Sequence, residues 1–387
     1  MIYLDGTATA KYIEERDNII IKAMTDAIKT MWVNPSSLYS TSVAVKNKIE
    51  EVRKLVADFI GAKPEEIYFT SGGSESNNWA IKGFADKYGK MSHVIVSSVE
   101  HKSILECVKQ LRCTYGIVNV DKFGSLDLYE LEKMLYDENK MFGNKDILVS
   151  IQHTNNEIGT IQNIKEISDL IHKHSGILHV DNVQMFGKSR IDIRSMNIDM
   201  MSLSGHKLSP ILRGVGVLYI RDGVEIEPLI CGSQERGKRG GTENTYAIIG
   251  LGRAIKFLNE SRLFESWMKV DIKESYLIDK LKEKFNCKIN GNPLRKTPYI
   301  VSATFPQNIT AEALLYMLDM NGIYVATGSA CNSHSIEPSH VLKAIGLTDE
   351  ETMKTIRFSI DESTTYEEID KVIEEIDKCI KLIEMEV

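Results

Sequence analysis

The chain has 387 residues, of which 43% are hydrophobic and 26% charged, and a formal net charge of -7. That length and balance suit a globular protein of two or three domains with a sizeable core. A net negative chain has no overall attraction for phosphate backbones, so nucleic acid is not an expected direct partner.

In chain order, Val45, Ile49, Val52, Val56 and Phe59 recur at helical spacing over residues 43–60, and Gly61 is placed to end that helix. Ile67-Tyr68-Phe69 reads as a buried strand running into Ser71-Gly72-Gly73-Ser74, with a helix from about Asn77. Strands are expected at Val94-Ile95-Val96, 147–151, 177–180, 200–203 and 215–220, with helices at 102–112 and 163–174 between them. Beyond about residue 247 the pattern changes. A long charged helical stretch precedes strands at 299–305 and 355–360 and helices at 310–320 and 365–384. Alternating strands and helices predict an α/β fold with a mainly parallel sheet, followed by a smaller α+β unit.

The six cysteines, Cys107, Cys113, Cys231, Cys287, Cys331 and Cys379, form no C-x-x-C pair, so neither a zinc ribbon nor any other metal site is expected. A long chain with few cysteines suits a reducing cytoplasm. Met1-Ile2-Tyr3-Leu4-Asp5 lacks the basic and apolar regions of a signal peptide, and no run approaches the roughly 20 apolar residues of a membrane span.

Polar clusters fall at the ends of the expected strands, where ligands gather in such sheets. Ser71-Gly72-Gly73-Ser74 lies between a strand and a helix, a place where backbone N–H groups can hold an anion. Alone, it reads equally as a Gly-rich turn. Asp181 ends an apolar strand and suits either a cap or a cationic ring nitrogen. Ser204-Gly205-His206-Lys207 follows another strand, and a partly buried lysine can form a Schiff base with a carbonyl. Together these are the three parts that pyridoxal 5'-phosphate (PLP) needs: a phosphate cradle, a carboxylate for the pyridine nitrogen and an amine for the aldehyde.

At these positions and others the chain resembles the cysteine desulfurases of the NifS/IscS group, fold-type I PLP enzymes within the class V aminotransferases. The matching runs are Asn34-Pro35-Ser36-Ser37, FTSGGSESN (69–77), Glu100-His101-Lys102, NNEIGTIQ (155–162), His179-Val180-Asp181 and SGHK (204–207). They continue through QERGKRGGTE (234–243), TGSAC (327–331), Glu337-Pro338-Ser339 and Ile356-Arg357-Phe358-Ser359.

The resemblance implies the site. Lys207 would bind the cofactor covalently and, with His101, move protons. His101 would stack on the ring, Asp181 would pair with its nitrogen and Gln184 with its hydroxyl. Gly73, Ser74, Ser204 and His206 would hold the phosphate, joined by Thr242 from a second subunit of a homodimer. Arg357, Asn156 and Asn34 would hold the substrate carboxylate. Cys331, in the small polar run Gly328-Ser329-Ala330-Cys331-Asn332-Ser333, would take the sulfur. The implied layout is a large PLP-binding domain at 15–255 and a small domain of 1–14 and 256–387 that carries the Cys331 loop.

The implied reaction converts L-cysteine to L-alanine and a persulfide on Cys331. The sulfur then passes to an acceptor protein such as an iron–sulfur scaffold or a thiolation enzyme. A selenocysteine lyase, another class V aminotransferase-like enzyme or a catalytically degraded partner-binding homologue are the alternatives. Four departures from the family pattern bear on substrate preference: Asp5-Gly6-Thr7-Ala8-Thr9-Ala10, Tyr39, the stretch 208–214 and Ile360-Asp361.

Overall fold

The structure, a computed structural model, describes residues 1–142, 146–328 and 338–386. The chain begins with a two-residue strand, β1 (Ile2–Tyr3). It then builds a sheet from β2 (Ile67–Thr70), β3 (His93–Ser97), β4 (Thr114–Val118), β5 (Ile147–Gln152), β6 (Ile177–Asp181), β7 (Met200–Ser204) and β8 (Gly216–Ile220). These seven strands lie in the order β2-β8-β7-β6-β5-β3-β4, and only β8 runs against its neighbours.

Side chains alternate between the two faces of this sheet. Val94, Val96, Leu148, Met200 and Leu218 pack on one side with Trp79, Phe84 and Ile104. Ile95, Val149, Met201 and Val217 pack on the other with Val45, Ile49, Val52, Ile248 and Leu251. Helices therefore cover both faces, and the central strands read as unbroken apolar runs for that reason.

A second, antiparallel sheet follows from β9 (Lys288–Asn290), β10 (Ile300–Thr304), β12 (Ala326–Thr327) and β13 (Thr355–Ser359), while β11 (Ile323–Tyr324) pairs with β1. Its core joins the first residues of the chain to the last helix: Ile2 and Leu4 pack with Leu281, Phe305, Phe358 and Ile376. No described helix is long and apolar enough to cross a membrane.

Several elements differ from the sequence reading, among them the following. The helix expected from Asn77 starts at Gly73 and runs to Tyr88. Glycine weakens helix propensity, but a Cβ on Gly73 would stand 2.6 Å from Val183 Cγ2. The helix expected over 102–112 stops at Val108. Strand β4 was not expected, because at the sheet edge Tyr115 and Ile117 face solvent.

Candidate active site

The carboxyl ends of β2, β5, β6 and β7 open into one cavity of about 580 Å³, lined by Ser71, Gln152, Asp181 and Ser204 among others. At its base the helix Gly73–Tyr88 begins with no side chain capping it. The first-turn N–H groups of an α-helix have no acceptor inside the helix, so here they face the cavity as anion donors. Two glycines permit the approach. A Cβ on Gly73 would stand 2.6 Å from Val183 Cγ2, and one on Gly216 would stand 2.5 Å from Gly72 Cα. The acidic side chain in this turn is held off: Glu75 takes both prongs of Arg239, at 2.8 and 3.0 Å, and the Ser71 N–H at 2.8 Å.

Asp181 ends β6, buried, with Oδ1 accepting from Val183 N at 3.0 Å and Oδ2 from Asn77 Nδ2 at 2.8 Å. The carboxylate is thus fixed while it still lines the cavity. Asn77 also donates to Ser103 Oγ at 3.0 Å, and Ser103 meets His101 Nδ1 at 2.8 Å. His101 caps the helix Lys102–Val108, its ring nitrogen accepting from Ser103 N. The cap therefore fixes the His101 ring where it lines the cavity. Burial holds the His101 imidazole below its ordinary range, Asp181 opposing and Lys207 adding to the shift.

Lys207 closes a single 3₁₀ turn after β7, and its Nζ donates to the carbonyls of Thr7 and Ala8. His206 meets Thr9 Oγ1 at 3.4 Å, and burial, reinforced by Lys207 and Arg213, pushes its imidazole down to about 4. It is a neutral group near neutral pH.

These residues fit PLP. An uncapped helix start with two cleared glycines suits a phosphate, and a fixed buried carboxylate suits a protonated ring nitrogen. Buried Gln184 donates from its amide to Thr7 O at 3.2 Å and leaves Oε1 with no partner among the described residues. It retains a free position for a ring hydroxyl.

Arg357, on β13, reaches the cavity from the second sheet. It donates from Nη1 to Asn156 O at 3.0 Å and from Nη2 to Asp5 Oδ1 at 2.7 Å, while its buried Nε has no partner among the described residues. Each Nη keeps a second N–H, and a guanidinium held in this way is suited to a carboxylate. Asn156 lines the cavity beside it.

Two of the expected residues do not line this cavity within one chain. Asn34 is exposed, its side chain closing a turn on Ser36 N at 2.9 Å. Thr242 lines a neighbouring recess that shares Ser71 and Gly214 with the cavity. Its stretch is held in an unusual backbone: Glu235 and Arg236 both have positive φ, at 45° and 58°. Such conformations cost about 1–3 kcal/mol each. The buried, two-pronged pair of Arg53 with Glu235, at 2.7 and 2.9 Å, holds them in place. Cys331 lies outside the described residues.

Sequence reasoning gave no role to Thr7, Asn77, Ser103, Gln152, Glu157 or Arg213, all of which line the cavity. For Asn77 and Glu157 a signal was available, since each stands inside a motif whose neighbours were assigned.

Residues 2–372 match the family Aminotransferase class-V. The chain is similar to a cysteine desulfurase IscS of Methanosarcina thermophila, 40% identical over 98% of this chain and 92% of that protein. Among solved structures it resembles a NifS-like protein (TM-score 0.88, 33% identity, 98% of this chain and 99% of that one). It also resembles SspA in complex with cysteine (TM-score 0.79, 32% identity, 94% and 100%).

Proposed function

The chain belongs to the class-V aminotransferase family, on its cysteine desulfurase branch, and from that premise we propose that it removes sulfur from L-cysteine. Enzymes of this family depend on PLP, and so does this one. Bound, PLP supplies an aldehyde for covalent capture and a ring that accepts electron density from the substrate Cα.

The chain's own residues supply the rest. Arg357 and Asn156 hold the substrate carboxylate and so fix its Cα above the ring site. Lys207 takes up and returns the Cα proton, with His101 assisting. Asp181 keeps the proton on the ring nitrogen, since a carboxylate opposite that nitrogen favours its charged form. The thiolate of Cys331 attacks the substrate sulfur. As the S–S bond forms, the C–S bond breaks, its electron pair stays with Cβ, and that carbon is protonated to give L-alanine.

One observation carries this reading: Lys207, Asp181 and Arg357 line the same cavity, although they come from two sheets. Alanine and sulfide release from L-cysteine, with and without a thiol reductant, tests it. Release of alanine in step with sulfide, accelerated by reductant, is the expected result. Alanine absent in both conditions would overturn the reading.

Three finer statements belong to the same proposal. The protein is a cytoplasmic homodimer, divided into domains at 15–255 and at 1–14 with 256–387. Thr242 and Asn34 serve the site of the partner subunit, which is consistent with their lying outside the cavity of their own chain. The persulfide passes to an iron–sulfur scaffold or a thiolation enzyme.

A further inference from the structure

A second cavity, of about 360 Å³, adjoins the first, and Thr7 and Lys207 line both. Its volume falls within the range of small-molecule sites. Apart from Lys207, its lining residues have no part in the chemistry above. Three of the four departures from the family pattern meet in its wall: Gly6 and Thr7 from the first, Leu208 from the stretch 208–214, and Ile360 with Asp361.

Two opposite charges in this wall lack a direct counterpart. Lys188 Nζ stands over the Tyr299 ring, 5.1 Å from its centroid, and makes no hydrogen bond or ion pair among the described residues. A lysine enclosed in this way ordinarily has an anion beside it. Burial pushes the Lys188 ammonium down to about 7, with Lys207 adding to the shift, Asp361 opposing it and Arg357 adding to it. Asp361 lines the same cavity, two residues beyond the end of β13. Its Oδ1 accepts from Ser363 N at 2.8 Å, Ser363 Oγ at 2.6 Å and Thr364 N at 3.2 Å, while Oδ2 takes no hydrogen bond among the described residues. Asp361 and Lys188 thus interact electrostatically without forming an ion pair.

The other charged groups of the wall are engaged or turned to solvent. Lys11 pairs with Glu368 at 3.9 Å, Arg16 with Asp17 at 2.9 Å and Glu362 with Lys269 at 3.1 Å, and Glu15 is exposed. Phe186, Leu208, Phe257 and Ile360 make much of the remaining wall apolar. A cation and an anion that do not pair, set in such a wall, match a small molecule that carries both charges on adjoining groups.

We propose that this cavity is an accessory site for a small α-amino acid, with its carboxylate on Lys188, its ammonium on Asp361 and its side chain against the apolar wall. L-alanine, the product of the proposed reaction, is the natural occupant. Only that naming rests on the desulfurase reading.

The test uses PLP-loaded protein reduced with borohydride, so that the cofactor is fixed on Lys207 and cannot capture an added amine. Equilibrium dialysis against isotope-labelled L-alanine should find one molecule bound per chain. Lys188→Met and Asp361→Asn should each raise the Kd about tenfold or more, since each removes one charged partner. Asp361→Asn keeps the Oδ1 acceptor for Ser363 and Thr364, and it carries the test alone if Lys188→Met does not fold. Arg357→Lys, which alters the active cavity, should move the Kd by less than about threefold. Acetate and ethylamine, each with one of the two charges, should not displace L-alanine at equal concentration. No alanine bound to the parent protein would overturn the inference, as would a Kd that responds to Arg357→Lys and not to the other two variants. Displacement by acetate alone would make this a simple anion site and overturn it too. Alanine bound in the predicted way to a protein that forms none from L-cysteine would support the accessory site and overturn the desulfurase reading.

Discussion

Arg357 and Asp5, 352 residues apart in sequence, form an ion pair of 2.7 Å at the wall of the cavity. The pair brings the start of the chain to the last strand of the second sheet and sets the plane of the guanidinium. Asp5 and the Asn156 carbonyl each take one N–H of an Nη, and the second N–H of each Nη is left for a ligand.

Arg357→Lys keeps the charge and loses the fork. A hydrogen bond to a charged group is worth about 1.5–3 kcal/mol. The KM for L-cysteine should therefore rise about tenfold or more, with kcat affected less. Asp5→Asn keeps one acceptor for Nη2 and should raise KM by a smaller factor. Steady-state kinetics on both variants checks the order.

Gly73→Ala places a methyl group 2.6 Å from Val183 Cγ2, beside Asp181 and Gln184. Relief requires a shift of the helix start or of the segment that holds the ring site, and overpacking of this kind costs about 1–3 kcal/mol. Retention of PLP after dialysis, read from the ratio of visible to ultraviolet absorbance, should fall about tenfold. Full retention would show that the helix start does not hold the phosphate.

Glu100 is fully buried beside His101. Its Oε1 accepts from Ser97 Oγ at 2.5 Å and Gln152 N at 3.0 Å, while Oε2 has no partner among the described residues. Burial pushes the carboxyl up to about 8 despite those two bonds, and Asp181 adds to the rise. The folded protein thus keeps a proton that the unfolded chain loses above about 4.5. The stability cost is absent below that value, grows as pH rises and is complete near pH 8. Glu100→Gln removes it. The melting temperature of the variant should exceed that of the parent by a few degrees at pH 8 and barely differ at pH 5. A gain that is equal at both pH values would rule out this ionisation as the cause.

The parts of the site that were legible in sequence are those whose chemistry stands next to a strand end. Ser71–Ser74, Asp181 and Lys207 each follow an apolar run, so the fold class alone places them on one side of the sheet. The roles of Arg357, Asn156 and Gln184 came only through resemblance, because nothing local marks them. Asn77, Asp5 and Glu157 went unassigned for a physical reason. Their partners Asp181, Arg357 and Ser339 are 104, 352 and 182 residues away, and only the closed fold joins them. The helix start was misplaced because Gly72 and Gly73 read as a loop, whereas the tight contacts at Gly73 and Gly216 require residues without side chains there.

The most direct measurement concerns the sulfur itself. PLP-loaded protein is treated with L-cysteine without reductant, and its peptides are examined by mass spectrometry beside a Cys331→Ala variant. One extra sulfur atom should appear on the peptide that contains Cys331. The variant should still show the spectral change on adding L-cysteine, because Lys207, Asp181 and Arg357 are intact, while its alanine release falls to background. Alanine release at the parent rate from Cys331→Ala would contradict the account and place the enzyme among lyases that expel sulfur directly.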